Sequence, residues 1–501
     1  MKKLLFIICV FSMLFLSCNL LLDVFSPDER SKNSNSSEDS KESVDPNFGN
    51  FWATNFRTEK DYRVEADLYA SGNYCNVWVE KDSGVSASRA REVANHYDNL
   101  IYPKMINSFS VRNITHKFGN NNLTFDNIME FADWLVDEDG KLCILLLNIK
   151  DNYNGTTNTS YVAGYFWSGD FFQGNNSNQR DMIYIDTKPG LDSDKIDETF
   201  KTLAHEMQHL MNFATSLFLR APKNEQGQIT GLSYMDTWID EGLASAAEWV
   251  YSNNYSQDRI SWFNNNGQKN SSTVKGLIDK GNTFFVWNNY KESNYAILDD
   301  YATVNLFFQW LRLQSNNNIY SQIIKSEYVD YRAVTNAFNT AASVNYSWDE
   351  LLKAWLAANY INASTGPYGY NNDSVLRTIR VPAPKSIAIN ISLAPGEGVY
   401  SKTTSNPNPP AGNNIKYAYL TSTALSSTHQ TNSAMLTYNA NTSISGQSET
   451  GRTTGTPITS VSISEERSLI PEFSGPYRIG AWDLIERNPV FIEQTGKYSN
   501  E

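Results

Sequence analysis

Histidine, cysteine and positive charge are all scarce in this chain, and each shortage narrows its function. The 501 residues carry 5 His and 4 Cys, and 41 Lys and Arg stand against 54 Asp and Glu, a formal charge of −13. Nucleic acid and anionic bilayers attract proteins through clustered cations, so neither is expected as a main partner. The acid surplus suits an exported protein kept soluble by its charge. Cys9 and Cys18 lie in the N-terminal leader, which leaves Cys75 and Cys143 either to pair in an oxidising compartment or to remain as buried free thiols. No repeat of fixed period is present. The acidic turn Asp137–Asp139 lacks the further ligands of an EF-hand, and a plain loop or hairpin is expected there.

Long apolar runs are absent apart from Leu4–Leu16, which is too short for a comfortable membrane span. Preceded by Met1-Lys2-Lys3 and followed by Ser17-Cys18, it reads as a secretory signal over 1–17. Phe15-Leu16-Ser17-Cys18 resembles a relaxed bacterial lipobox, in which cleavage leaves a lipidated Cys18 as the first residue; the alternative is an ordinary signal with an incidental cysteine. Residues 18–50, rich in Ser, Asn, Asp and Glu from Pro27 onward, read as a lipid-anchored disordered tether. The expected location is a cell surface or the periplasmic face of a membrane, with membrane contact through the anchor alone and a monomeric chain.

Aromatic residues make up 13% of the chain, ample material for a core. Alternation through Tyr62–Leu68 and Asn76–Glu80 predicts a β-meander, and Ser86–Phe109 predicts a helix with Val93, Leu100 and Met105 among its apolar positions. Strands are expected at Cys143–Ile149, Tyr161–Phe166 and Met182–Asp186, and helices from Ser193 to Asn362, one opened by the capping box Ser347–Glu350. After Pro367 the composition shifts to Ser, Thr, Asn and Pro with short alternating runs such as Ile387–Ile391. A small β module and a low-complexity, mobile stretch near Thr421–Pro457 are expected there. The expected fold class is α+β. Residues 51–366 form a domain whose N-terminal mixed β-sheet precedes a mostly helical part, and 367–501 form the C-terminal β module and tail.

Two of the five histidines flank a glutamate in His205-Glu206-Met207-Gln208-His209. Imidazoles four apart on a helix can grip one zinc ion, and a carboxylate between them can take a proton from water activated there. On a helical wheel His209 falls about 40° and Glu206 about 100° from His205, while Phe200, Leu203, Met207, Leu210 and Met211 occupy the opposite sector. The helix therefore has a greasy back and a front of His, Glu and His, unless that front is simply a solvated face. A third ligand is offered by Glu241 in Trp238-Ile239-Asp240-Glu241-Gly242, although an Asp-Glu-Gly sequence also suits a helix start whose acids favour the dipole. Ser245 and Glu248 share the Glu241 face, and Gly242, Ala244 and Ser245 would let this helix approach its neighbour closely. Glu248 could hold a ligand imidazole from behind, or be a solvated carboxylate.

The run His205–Phe213 followed by Trp238–Gly242 resembles gluzincins, most closely the hyicolysin-like zinc metallopeptidases. The resemblance extends to Tyr97–Lys104, Ala163–Phe166, Ile183–Asp186 and Trp355–Tyr360, and so covers roughly Asp61 to Ile361. It implies a zincin-like fold, one zinc per chain, His205, His209 and Glu241 as its ligands and Glu206 as the catalytic acid/base. Such families usually carry Asn before the ligand glutamate, where this chain has Asp240, a change that alters local charge without removing a ligand. Tyr301, with Tyr295 nearby, matches where related enzymes tend to place an oxyanion-stabilising tyrosine. The implied activity is an endopeptidase acting on protein or peptide substrates, with an edge strand at Val162–Phe166, preferred over Met182–Asp186, to receive the extended chain. The rival reading is a cell-surface binding lipoprotein on a metallopeptidase scaffold, which would have no need of Glu206.

Overall fold

The structure, a computed structural model, describes residues 48–58, 60–109, 114–118, 121–125, 140–157, 161–171, 176–222, 233–264, 284–285, 294–379, 381, 388–389, 395–402, 415–420, 434–442, 461–462 and 478–479. The leader, Cys18, the Asp137–Asp139 turn and most of the Thr421–Pro457 stretch lie outside the described residues.

Strands β2 (Lys60–Ser71) and β3 (Cys75–Glu80) pair antiparallel as the alternation predicts, and β1 (Phe48–Asn55), which the alternation did not mark, adds antiparallel to β2 as a third strand. β1 starts inside the segment read as tether: Phe48, Gly49 and Asn50 continue its ladder opposite Asp67, Ala66 and Glu65 of β2, and further along Phe51 and Ala53 are buried. Helix α1 (Ala87–His96), capped by the Ser86 hydroxyl, a π-turn over Tyr97–Ile101 and α2 (Tyr102–Phe109) follow. The wider π-turn rotates the helix face, so Tyr97 and Ile101 point inward and Leu100, expected inside, is 41% exposed. After the β4–β5 hairpin (Ile114–Phe118, Asn121–Phe125) comes β6 (Leu142–Leu147), all six residues buried, lying parallel to β3.

The expected strand Tyr161–Phe166 is broken at Ala163 into β7 (Tyr161–Val162) and β8 (Gly164–Phe166). β9 (Met182–Asp186) pairs parallel with β6 and antiparallel with β8, giving the sheet order β1-β2-β3-β6-β9-β8. β8 is therefore the terminal strand, and Met182–Asp186 is paired on both sides. Alternate residues feed two apolar layers: Val77, Ile144, Leu146 and Ile183 face the helices, while Trp78, Leu145, Met182 and Tyr184 face the outer layer with Phe51. The same alternation separates the cysteines. Cys75 lies opposite Leu142 and Cys143 opposite Asn76, so the two thiols point to opposite faces; both are buried and they form no disulfide with each other.

Helices then dominate: α3 (Ile196–Leu219), α4 (Thr237–Ser252), α5 (Gln257–Phe263), α6 (Asn294–Gln314), α7 (Ile319–Ile324), α8 (Tyr331–Ala342) and α9 (Trp348–Ile361). The Ser347–Glu350 capping box opens α9, and Asn362 in left-handed conformation closes it. α3 packs on β8 and β9 with one side and on α4 with the other, so it is buried almost all round. Beyond them, β10 (Ala388–Ile389) pairs with β14 (Val461–Ser462), and β11 (Gly398–Lys402), β12 (Ile415–Leu420) and β13 (Ala434–Asn439) form a sheet with β13 in the middle. The short β15 (Arg478–Ile479) pairs with β7. β13 falls within the stretch expected to be low-complexity and mobile; its Ala434, Leu436 and Tyr438 supply the apolar alternation that a strand needs. Packing also crosses residue 366 without a break: Trp310 Nε1 donates to the Pro367 carbonyl at 3.2 Å, and Tyr370 Oη to Asn359 Oδ1 at 2.5 Å. No described helix is long and apolar enough to cross a membrane.

Candidate metal centre

Two helices, each fixed from behind by apolar packing, bring the site together. α3 seats Phe200, Leu203, Met207, Leu210 and Met211 in the core, which turns His205 and His209 toward α4. α4 is held at its start by Trp238, whose ring meets Phe284, Phe307, Phe308 and Trp348 edge-on or tilted at 5.2–6.4 Å. That anchor leaves Glu241 facing α3. Gly242 faces the other way: a Cβ there would stand 2.2 Å from the Phe308 ring, so the glycine admits α6 rather than α3.

His205 Nε2 and Glu241 Oε2 are 3.3 Å apart, and His209 Nε2 and the same oxygen 3.7 Å. The three residues form one candidate metal group whose ligand atoms all lie within 4.8 Å of one another, and each of the three atoms is buried without a hydrogen-bond partner. Ligands about 2.1 Å from a shared tetrahedral ion would stand about 3.4 Å from one another, close to this spacing. Buried polar atoms left without partners cost about 1–3 kcal/mol each, and a cation between them removes that cost. The solvated-face reading does not survive, since His205 is 4%, His209 3% and Glu206 0% exposed.

Behind each imidazole stands a carboxylate. His205 Nδ1 lies 3.0 Å from Glu248 Oε1, and Glu248 Oε2 accepts from the Ser256 hydroxyl at 2.9 Å. His209 Nδ1 lies 2.8 Å from Asp240 Oδ2. With both Nδ1 atoms protonated toward these acceptors, both Nε2 lone pairs are directed at the common point. Burial works against a charged imidazole, but Asp240 and Glu241 push His209 up to about 10, and Glu241 and Glu248 likewise raise His205. Four buried carboxylates, from Glu206, Asp240, Glu241 and Glu248, thus crowd two imidazoles, a charge pattern that calls for a cation.

Glu206 occupies a different stripe of α3. It sits one turn from Thr202 and two from Phe213; Thr202 is the methyl that a Cβ on Gly164 would strike at 2.9 Å, and Phe213 packs on Phe166 at 5.8 Å. Glu206 therefore lies between residues that touch β8, on the side of the terminal strand, while remaining close enough to raise both histidines. Tyr301 is buried and its hydroxyl lies 3.5 Å from Oε1, the other carboxylate oxygen of Glu241; the Arg259 guanidinium caps its ring at 4.5 Å. The Tyr295 side chain lies outside the described residues. All six candidate residues of the folded domain, His205, Glu206, His209, Glu241, Glu248 and Tyr301, thus converge. Sequence reasoning missed Asp240 as a partner of His209, treating it only as a departure from Asn. Its position one residue before Glu241, opposite His209 on the neighbouring helix, becomes visible only once the helices are packed.

His205, His209 and Glu241 thus form a candidate metal site on the helices behind a mixed sheet, with Glu206 beside it. The chain belongs to a metallopeptidase family: it is 30% identical over 377 residues to the neutral metalloprotease ShpI of Staphylococcus hyicus, a match covering 74% of this chain and 75% of that protein. No protein-family model matches the sequence.

Proposed function

We propose that the protein is a surface-tethered zinc endopeptidase in which His205, His209 and Glu241 hold one zinc and Glu206 is the general acid/base. The observation that carries this reading is the convergence of His205 Nε2, His209 Nε2 and Glu241 Oε2, three buried atoms with no hydrogen bonds of their own. Zinc held there would supply Lewis acidity, lowering the pKa of water and polarising a peptide carbonyl. The protein's own groups do the rest. Glu206 accepts a proton from the attacking water and delivers it to the leaving amine, and its burial beside the histidines removes competing solvent. Glu248 and Asp240 keep the two imidazoles in the tautomer and orientation the metal requires. Tyr301, with its hydroxyl on Glu241 at the margin of the site, is the donor assigned to the developing oxyanion. An extended substrate would add to β8, the terminal strand, whose neighbour α3 carries Glu206.

Lipidation at Cys18 and a tether before β1 would hold the catalytic domain at a membrane face; mass spectrometry of the mature N-terminus decides between a diacylated cysteine and a plain signal cleavage. For catalysis the test is Glu206→Gln beside wild type, assayed for casein cleavage and zinc content. Cleavage should fall by at least about a thousandfold with one zinc retained per chain. Undiminished turnover refutes Glu206 as the base, and zinc binding without cleavage by the wild type would favour the binding lipoprotein.

A further inference from the structure

Behind Asp240, which orients His209, a buried polar chain continues through Asn212 and Arg220, two residues that the catalytic scheme does not use. Asp240 Oδ2 faces His209 Nδ1 at 2.8 Å, and its Oδ1 accepts from Asn212 Nδ2 at 2.5 Å. Asn212 Oδ1 in turn accepts from Arg220 Nη2 at 3.2 Å. Arg220 Nη1 donates to the carbonyls of Ile324 and Ser326, both at 3.0 Å, and Nη2 also donates to the Ser216 hydroxyl. The guanidinium is thus pinned between the C-terminal end of α3 and the end of α7.

The donor and acceptor chemistry of this chain depends on residue 240 being an acid. Asp240 accepts on both oxygens, so Asn212 must present its NH2 to Asp240 and its Oδ1 outward, where Arg220 meets it. An asparagine at 240, with its oxygen on His209 Nδ1–H, would present its own NH2 to Asn212. Asn212 would then have to turn its oxygen inward and its NH2 toward a guanidinium, which has only donors. Asp240 also adds a negative charge to a site already holding Glu206, Glu241 and Glu248, and Arg220, always protonated at neutral pH, is the cation attached to it through Asn212.

We propose that Arg220 is a positioning residue for the metal ligand His209: acting through Asn212, it orients and balances the charge of Asp240 and so raises the affinity of the site for zinc. The proposal rests on the zinc reading above and adds to it a chain of residues, specific to a site with Asp before the ligand glutamate, that sets how tightly the ion is held.

The test is a double-mutant cycle read as zinc affinity, by competition with a chromophoric chelator, on the full chain with wild type and His209→Ala as references. Arg220→Met should weaken zinc binding about 10–100-fold in the Asp240 background, and by no more than about threefold in the Asp240→Asn background. Equal losses in the two backgrounds would mean that Arg220 serves only to tie α3 to α7, and no loss in either would remove it from the site; both overturn the proposal. If Arg220→Met fails to fold, Asn212→Ala cuts the same chain at its middle while leaving the bonds to Ile324 and Ser326. Zinc affinity unchanged in Asn212→Ala overturns the proposal, and a matching 10–100-fold loss that Asp240→Asn suppresses supports it. A wild type that binds no zinc, or that binds it equally well as His209→Ala, would instead refute the underlying metal assignment.

Discussion

His209 shows how much one side chain's surroundings decide. Burial alone would keep its imidazole neutral, but Asp240 and Glu241 hold it protonated up to about 10 in the absence of a cation. A metal must displace that proton, so affinity falls as pH falls, by about tenfold per pH unit for each proton released. Zinc titrations between about pH 6 and 8 check this, and a flat profile would mean that no proton leaves His209 on binding. Linkage gives the matching stability effect. The folded pKa of His209 is raised, so in the metal-free protein its contribution is complete below the ordinary value of 6.5 and is lost as pH rises toward about 10. The gap in melting temperature between zinc-loaded and stripped protein should therefore widen with pH over that window. Tyr301→Phe belongs to the same scale: the role assigned to its hydroxyl predicts a kcat drop of about 10–1000-fold with zinc content and KM little changed. Loss of zinc instead would make it a support for Glu241. The sequence contained all these residues, but only Glu206 and the two histidines declare their chemistry by spacing. Asp240, Asn212 and Arg220 are ordinary polar residues until packing joins them.

Each helix of the site was legible by its periodicity, because an amphipathic wheel fixes which side must be buried. α3 and α4 therefore have the faces that the apolar spacing demands, and the α9 capping box is where Ser347 and Glu350 put it. What spacing could not show is what covers a face. Gly242 lies on the side of α4 that meets Phe308 of α6, not the metal side. Gly242→Ala should destabilise the protein by about 1–3 kcal/mol through that clash, seen as a lower urea midpoint with unchanged zinc stoichiometry. A neutral effect would mean the Phe308 ring has room to retreat. The π-turn at Tyr97–Ile101 was equally invisible: a five-residue period needs only one inserted position, and the sequence carries no mark of it. Leu100 is the residue that shift strands at the surface.

At the scale of the whole molecule, the apolar core does not stop where the composition changes. Leu376, Ile379, Leu420, Ala434 and Tyr438 share one core with Trp355 and Leu356, and Tyr438 Oη donates to Asp349 Oδ1 at 2.6 Å. A chain ended at Gly366 would uncover that side of α9, and we expect it to be insoluble or to unfold without a cooperative transition. A soluble truncated chain with the wild-type melting temperature would show that 51–366 is self-sufficient. The amino-acid order by itself determined the alternation of the sheet, the faces of the helices and the His–Glu–His spacing, because those follow from the local periods of 2 and 3.6 residues. Only the tertiary structure decided that Cys75 and Cys143 face opposite layers, that β8 ends the sheet beside Glu206, and that Asp240 and Glu248 stand behind the two imidazoles. Those are distances between segments far apart in the chain, set by how apolar surfaces pack, and no local period encodes them.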